Sequence, residues 1–557
     1  MEFAYIEPMQ RYAFKLTPDQ TAAMIKIAVT RPPVRRADIE RNVRDLQLDQ
    51  DPFLRHYGVK FEPQFAQTEA RVIAPPKVNF LQGFADPRFS GRWDLRGKKF
   101  WKPNQQPLVS WGFIVMDKCV NKPALEQFAK AFKTTFIGHG GVVPGDPVFV
   151  ELRPEDTDAA KAVTHGHNTI TQKQNHYTQL LFIVVPQRNS PYYERLKKSA
   201  DCRWGILSQV VNSAAVVQNN GQYHSNVCMK VNAKLGGATS RTLPPWKISQ
   251  PRASYFPPDR PTVMMGVDIS HAAPGGGTPS FAAMTMSVDP DATRYAAWTE
   301  TNGYRVEMLT PKNVHTMFGG LIDMWRVGHG GKPPVHIIYM RDGVAEGQFA
   351  HVIDQEVGVM KQWLGKNLPA KFPQPKFTVI IATKRHHIRF FPAKGDRNGN
   401  PLPGTLVERE VTHPFMNDFY LNSHVAIQGT ARPVHYHVLL DEMGLSVNEL
   451  QKMIYHQCYS YARSTTPVSL HPAVYYAHLA SNRCRAHETV ASSDGYVGAK
   501  AHEITRDRIA KGKSTTVPER DAEAPPLLAL GGKPETPKPS TQELQQRNFI
   551  KSTMWYI

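Results

Sequence analysis

The spacing of apolar and polar positions divides the chain into three stretches. Residues 1 to about 105 show no catalytic constellation. Leu16-Thr17-Pro18-Asp19-Gln20 predicts a helix running to Ile27, with Thr17 as cap and Pro18 in the first turn. A charged helix is expected over Val34–Asp45. Ala74-Pro75-Pro76 breaks the pattern, and Asp86–Asn104, rich in Pro, Gly, Arg and Lys, reads as a linker wrapped on other units.

From Pro107 the periodicity changes. Apolar runs at Leu108–Met116, Val148–Leu152 and Leu180–Val185 predict strands, and Ala124–Phe136 predicts a helix. Strands alternating with helices point to a parallel α/β layer. The helix after the last of these strands places Tyr193 and Lys197 on one face; a later helix does the same for Lys230 and Lys234, then stops at Gly236-Gly237.

A Pro-rich linker, Pro244–Pro261, opens the third stretch. Val263–His271, Ser280–Val288 and Tyr295–Thr299 predict three antiparallel strands, with a Gly-rich turn at Pro274–Gly277. A helix (Val314–Val327), a strand (Val335–Val344), a helix (Phe349–Leu364) and a strand (Phe377–Ala382) follow. The basic, aromatic run Lys384–Phe391 then suits a nucleic-acid backbone. Helices are expected over Val447–Arg463 and around Tyr475–His478. Residues 488–545 have little periodicity and read as a mobile insertion; Phe549–Ile557 is apolar again and is expected to dock back.

Bulk properties narrow the function classes. At 557 residues the chain has room for two or three domains. A formal charge of +19 suggests a polyanionic partner, most simply nucleic acid, although ribosome-like or membrane-surface binding gives the same sign and charge alone does not choose. Five scattered cysteines without a C-x-x-C pair argue against both a disulfide framework and a zinc site. The apolar run Leu180–Val185 is far short of a membrane span, and Met1-Glu-Phe-Ala-Tyr does not open like a signal peptide. A cytoplasmic protein is expected, with the nucleus as a second location and no membrane partner.

Two aspartates stand out. Asp268 and Asp342 each end a buried-strand pattern, where ligands bind in α/β sheets. Brought to one sheet end, two carboxylates repel unless a cation lies between them, and a hard divalent metal is the natural partner. A lone strand-end Asp more often caps a turn, so the pair carries the reading. The lysine pairs, solvated faces when taken singly, together with an aromatic outline a phosphate pocket.

Gly266-Val267-Asp268-Ile269-Ser270-His271 and Tyr339–Phe349 resemble the Piwi domain of eukaryotic Argonaute proteins. So do Lys384-Arg385-His386-His387, Thr412-His413-Pro414, Asp418–Leu421, Ile427–Pro433 and Tyr475–Leu479, in the family's order and spacing. The resemblance implies an α/β architecture: a linker with the tail of a PAZ domain (1–106), a Rossmann-like Mid domain (107–243), and an RNase H-like Piwi domain (244–557). A chain resembling only that portion is either a fragment or a short form lacking the N-terminal domain and most of PAZ.

The resemblance also implies an activity, cleavage of RNA paired to a guide. Its catalytic tetrad falls on Asp268, Glu307, Asp342 and His478, of which Asp268, Asp342 and His478 are the metal ligands. Glu307 is placed by its distance from Asp268, with little local motif. The implied cofactor is Mg²⁺, with Mn²⁺ as substitute. Tyr193, Lys197, Gln209, Lys230, Lys234 and Arg483 match the family's pocket for the guide's 5′ phosphate. The implied partners are a small guide RNA, complementary target RNA and silencing-complex proteins. The alternative is a guide-binding silencing platform that represses without cutting.

Overall fold

The computed structural model describes residues 16–156, 158–188, 190–245, 253–271, 279–488, 524, 526–532 and 539–557. The Gly-rich turn at 274–277, part of the Pro-rich linker and most of the expected insertion lie outside them. Near the N-terminus, helix Pro18–Ala28 is closed by a Thr17/Gln20 capping box, and helix Pro32–Asp45 follows. A two-residue strand, β1 (Arg71–Val72), then pairs into a large sheet formed mainly by later residues.

A separate sheet has four parallel strands: β2 (Trp111–Val115), β3 (Val148–Val150), β4 (Leu180–Val185) and β5 (Leu207–Asn212), in the order β3-β2-β4-β5. All six residues of β4 are buried, as a strand covered on both faces requires. Leu180, Phe182 and Val184 pack toward Phe128 and Phe132 of helix Lys122–Gly138. Leu181, Ile183 and Val185 join Ala162, Val163 and Ile170 of helix Ala159–Gln174 on the other side.

The larger sheet adds β6 (Thr262–Ser270), β7 (Phe281–Ser287), β8 (Tyr295–Thr301), β9 (His336–Arg341), β10 (Lys376–Thr383), β11 (Thr405–Val407), β12 (Asn417–Asn422) and β13 (Val434–Asp441). Its order is β1-β11-β12-β13-β10-β9-β6-β7-β8. β9 runs parallel to both β6 and β10; the remaining pairs are antiparallel. Val263, Met265 and Val267 of β6 share a core with Val314, Met317 and Phe318 of helix Pro311–Gly328. On the opposite face helix Pro472–Arg483 lies close to β6, because Gly266 has no side chain: a Cβ there would stand 2.3 Å from the Ala473 carbonyl. Thr285 Oγ1 ties that same carbonyl at 2.8 Å.

Several expected boundaries move. The strand expected over Val335–Val344 ends at Arg341, leaving Asp342 just past it. The helix expected to reach Arg463 stops at Gln457, because a 3₁₀ turn (Cys458–Ser460) follows and Tyr455 and Tyr459 join their hydroxyls in the core at 2.9 Å. The helical stretch after Phe349 contains a π turn, Val352–Val357, that points Glu356 inward. β5 was not foreseen as a strand. The C-terminal end of the expected insertion is packed: Gly531 N bonds Asp201 O at 2.8 Å, and helix Thr541–Phe549 begins inside the range assigned to it. Phe549–Ile557 does dock back, with Trp555 and Tyr556 buried.

Candidate functional site

Because β6 and β9 are parallel and adjacent, their C-terminal ends bring Asp268 and Asp342 side by side. Arg341 is paired with Val267, and the Asp342 amide donates to the Val267 carbonyl at 3.2 Å. Asp268 is only 6% exposed. The helix held close by Gly266 presents His478, whose Nδ1 is 3.3 Å from Asp268 Oδ2, and one turn on Ser481, whose hydroxyl donates to the same oxygen at 2.8 Å.

Burial works against an ionised Asp268, but the His478 hydrogen bond and charge outweigh it and hold its pKa below the usual carboxylate range. Asp342 goes the other way, up to about 6, through burial and then the negative charge of Asp268. The neighbouring Gly343 amide, bonded to Asp342 Oδ1 at 2.7 Å, opposes that rise only in part. His478 is raised, first by its bond to Asp268. This is the electrostatic signature of two carboxylates that favour a cation between them. An oxygen-rich donor set with one imidazole fits a divalent ion such as Mg²⁺ or Mn²⁺.

Glu307 lies on the loop after β8. Its Oε2 is 2.7 Å from His271 Nε2, and its Oε1 is 3.3 Å from a guanidinium nitrogen of Arg341, which also donates to the Glu307 carbonyl. A Cβ on Gly343 would come within 2.7 Å of Glu307 Oε1, so this carboxylate stands directly beside the residue after Asp342. Arg341 is fully buried, and Glu356 accepts from Arg341 Nε (3.2 Å), Tyr339 Oη (2.6 Å) and Leu309 N (2.9 Å). The basic run after β10 borders the site: Lys384 is within electrostatic reach of Asp342, and Arg385 of His478.

A second constellation forms at the four-stranded sheet. Lys197 Nζ donates to Ser208 O (3.0 Å) and Ser208 Oγ (2.9 Å); Lys234 Nζ donates to the same carbonyl (3.0 Å) and to Gln209 Oε1 (2.9 Å). Both lysines are 2% exposed. Arg483 reaches across from the helix that carries His478, bonding Asp201 at 2.8 and 2.9 Å and Tyr193 Oη at 3.1 Å. Tyr193 keeps 40% of its surface exposed, as a side chain free to meet a ligand would. Lys230 is half-buried and pushed down to about 8 by burial, then by Arg463 and Arg188. Lys197 and Lys234 are pushed well below the usual lysine range, chiefly by burial. Lys197, Lys230, Lys234 and Arg483 thus lie within electrostatic reach of one another, with Asp201 beside Arg483 and Lys197, and an added anion is favoured there.

The structure brings Asp268, Asp342 and His478 together with Glu307 beside Gly343, and gathers Tyr193, Lys197, Gln209, Lys234 and Arg483, with Lys230 within electrostatic reach of both buried lysines. Sequence reading missed Asp201, Ser208, Ser481, His271 as a partner of Glu307, and Arg463. Only Ser481, one helical turn from His478, carried a usable spacing signal.

The sequence matches the Piwi domain family over residues 180–489 and the Argonaute linker 2 domain over residues 34–80. The chain belongs to the Argonaute family. It is 33% identical to protein argonaute of Schizosaccharomyces pombe over 100% of this chain and 62% of that protein. It is 34% identical to protein argonaute 1A of Oryza sativa over 90% and 48%. The chain thus spans about half to three fifths of these relatives' length. Kluyveromyces polysporus Argonaute, solved with a guide RNA, shares the fold at TM-score 0.74 and 23% identity, over 99% of this chain and 60% of that one. The C-terminal lobe of a budding yeast Argonaute does so at 0.67 and 24%, over 88% and 95%. The architecture is the mixed α/β, RNase H-like one of the Piwi fold.

Proposed function

We propose that this chain holds a small guide RNA by its 5′-phosphorylated end and cleaves RNA paired to that guide. The observation that carries the reading is the juxtaposition of Asp268 and Asp342 at the ends of parallel strands, with His478 bonded to Asp268. Asp268, Asp342 and His478 in its neutral form would hold Mg²⁺, or Mn²⁺ in its place. When bound, such ions activate water and stabilise the leaving oxygen of an in-line phosphodiester displacement.

The protein's own groups prepare the site. Ser481 and His478 fix the orientation of Asp268, while His271 and Arg341 fix Glu307, which orders the attacking water. Glu356 in turn anchors Arg341 from inside the core. At the other constellation Lys197, Lys230, Lys234, Gln209 and Arg483 receive the terminal phosphate, and Tyr193 stacks on the first base. A terminal monophosphate carries nearly two charges at neutral pH, against one for an internal phosphodiester, so this pocket selects the guide's end. Arg483 and His478 share one helix, which ties guide anchoring to the cleavage site.

Domain boundaries near residues 106 and 243 belong to the same proposal. The test is purified protein loaded with a 5′-phosphorylated guide and offered complementary and unrelated RNA in Mg²⁺. Cutting of the complementary strand alone supports the reading. Stable guide and target binding without cutting would assign the chain to repression without cleavage.

A further inference from the structure

Away from both constellations, Asp418 of β12 and His437 of β13 face each other across an antiparallel pair, and His435, two residues back, shares their side of the sheet. Asp418 Oδ2 is 2.6 Å from His435 Nε2 and 4.0 Å from His437 Nε2. One donor atom from each of the three lies within 4.8 Å of the other two, the one such histidine–carboxylate group among the described residues. Asp418 and His437 are each 5% exposed, and the His435 side chain is 11% exposed. The second carboxylate oxygen is fixed by the His413 amide at 2.9 Å. Tyr420 stacks on His435 with ring centres 4.0 Å apart, and Phe349 packs on His437 at 5.1 Å.

His437 is the residue that hydrogen bonding leaves unexplained. Its Nδ1 is buried without a partner, and its nearest charged neighbour is Asp418 at 4.0 Å. A polar ring is costly to bury on those terms, and an ion held at Nε2, where Asp418 lies only at 4.0 Å, would offset part of the cost.

We propose that Asp418, His435 and His437 form a binding site for a zinc-class divalent ion, distinct from the Asp268–His478 constellation, that clamps β12 to β13. Two imidazoles and a carboxylate suit Zn²⁺ and its first-row neighbours rather than Mg²⁺. Bonds of about 2.0–2.2 Å place tetrahedral donors roughly 3.3–3.6 Å apart. The 2.6 Å contact must open and the 4.0 Å contact close, each by less than about 1 Å. The ion takes the place of the His435 Nε2 proton, which passes to Nδ1 as the neutral ring changes tautomer. Burial favours the neutral imidazoles that ligate. A fourth position is left for water. The clamped strands flank the segment 423–433, so the ion would stiffen the return of that loop to the sheet. None of this depends on whether the chain cleaves RNA.

The test uses the full chain with Asp268→Asn and Asp342→Asn, so that the other carboxylates do not compete, and Co²⁺ as the probe. Chelator-treated protein should take up one Co²⁺ per chain with visible absorption, displaced by Zn²⁺ and not by Mg²⁺. Asp418→Asn and His437→Gln should each weaken uptake at least tenfold. His437→Cys should retain it and add a thiolate-to-cobalt charge-transfer band, which a merely misfolded variant would not show. The proposal is overturned if the parent takes up no stoichiometric Co²⁺, if both weakening variants bind as the parent does, or if the cysteine variant binds without the new band.

Discussion

Lys197 and Lys234, from different helices, converge on a single backbone oxygen, the carbonyl of Ser208, each at 3.0 Å. Two buried ammonium groups sharing one neutral acceptor repel each other, and burial disfavours both charges. Asp201 and the Ser208 carbonyl only partly compensate. On the proposed reading, a terminal phosphate completes the set.

Replacing Lys197 and Lys234 together by Ala removes two charge-assisted contacts, each worth about 1.5–3 kcal/mol. Affinity for a 5′-phosphorylated guide should fall at least about tenfold, with a 5′-hydroxyl guide affected much less. Filter binding against both guides checks this, and the salt dependence of the variant should be shallower. Equal losses would make the lysines part of a general basic surface.

The same strain predicts a stability gain. Lys197→Met replaces a buried, poorly compensated charge with an apolar chain of similar length, which removes the burial cost of the ammonium. Thermal unfolding without guide should move to higher temperature while guide affinity drops. A lower melting temperature would show that the Lys197–Ser208 bonds outweigh the burial cost.

Guide binding should depend on pH through Lys230. Its pKa of about 8 in the free protein means that the ammonium is lost as pH rises past 8, whereas the guide's phosphate is already doubly charged above about 6. A bound dianion raises that pKa, so affinity is fully present below 8 and declines as pH climbs from 8 toward the higher value of the complex. A titration of affinity from pH 7 to 9.5 reads this directly. Lys230→Arg, which stays charged throughout, should flatten the profile.

How much of this was legible in the sequence follows from which signals are local. Buried strands such as Leu180–Val185 announced themselves, because a strand covered on both faces is apolar at every position. Asp268 and Asp342 were legible because each closes such a run. Arg341, one residue before Asp342, carries no signal of its own beyond the motif around it. That it forms a buried pair with Glu356 depends on a π turn fifteen residues on, which no apolar spacing foretells. Asp201 was invisible for the same reason: its partner Arg483 lies 282 residues away. Arg463 was misread as the end of a helix, since the turn at Cys458–Ser460 is set by tertiary packing of tyrosines.

The Glu356 anchor can be tested by stability alone. Glu356→Ala leaves Arg341 buried and uncompensated on that side, and strips a partner from Tyr339 Oη and Leu309 N. A loss of about 3–5 kcal/mol is expected in chemical denaturation, most of it recovered by pairing the change with Arg341→Met. Purely additive effects would contradict a coupled buried pair.

The most direct measurement is the rate of guide-directed RNA cleavage by the natural chain and by Asp342→Ala, with guide affinity read in parallel. On the proposed reading, the juxtaposition of Asp342 with Asp268 assigns it to the metal site rather than to the phosphate pocket. The natural chain should cut the complementary strand in Mg²⁺. Asp342→Ala should lose at least about a hundredfold in rate while binding the guide as before. Cleavage by Asp342→Ala at the natural rate, or no cleavage by the natural chain in Mg²⁺ or Mn²⁺, would contradict it.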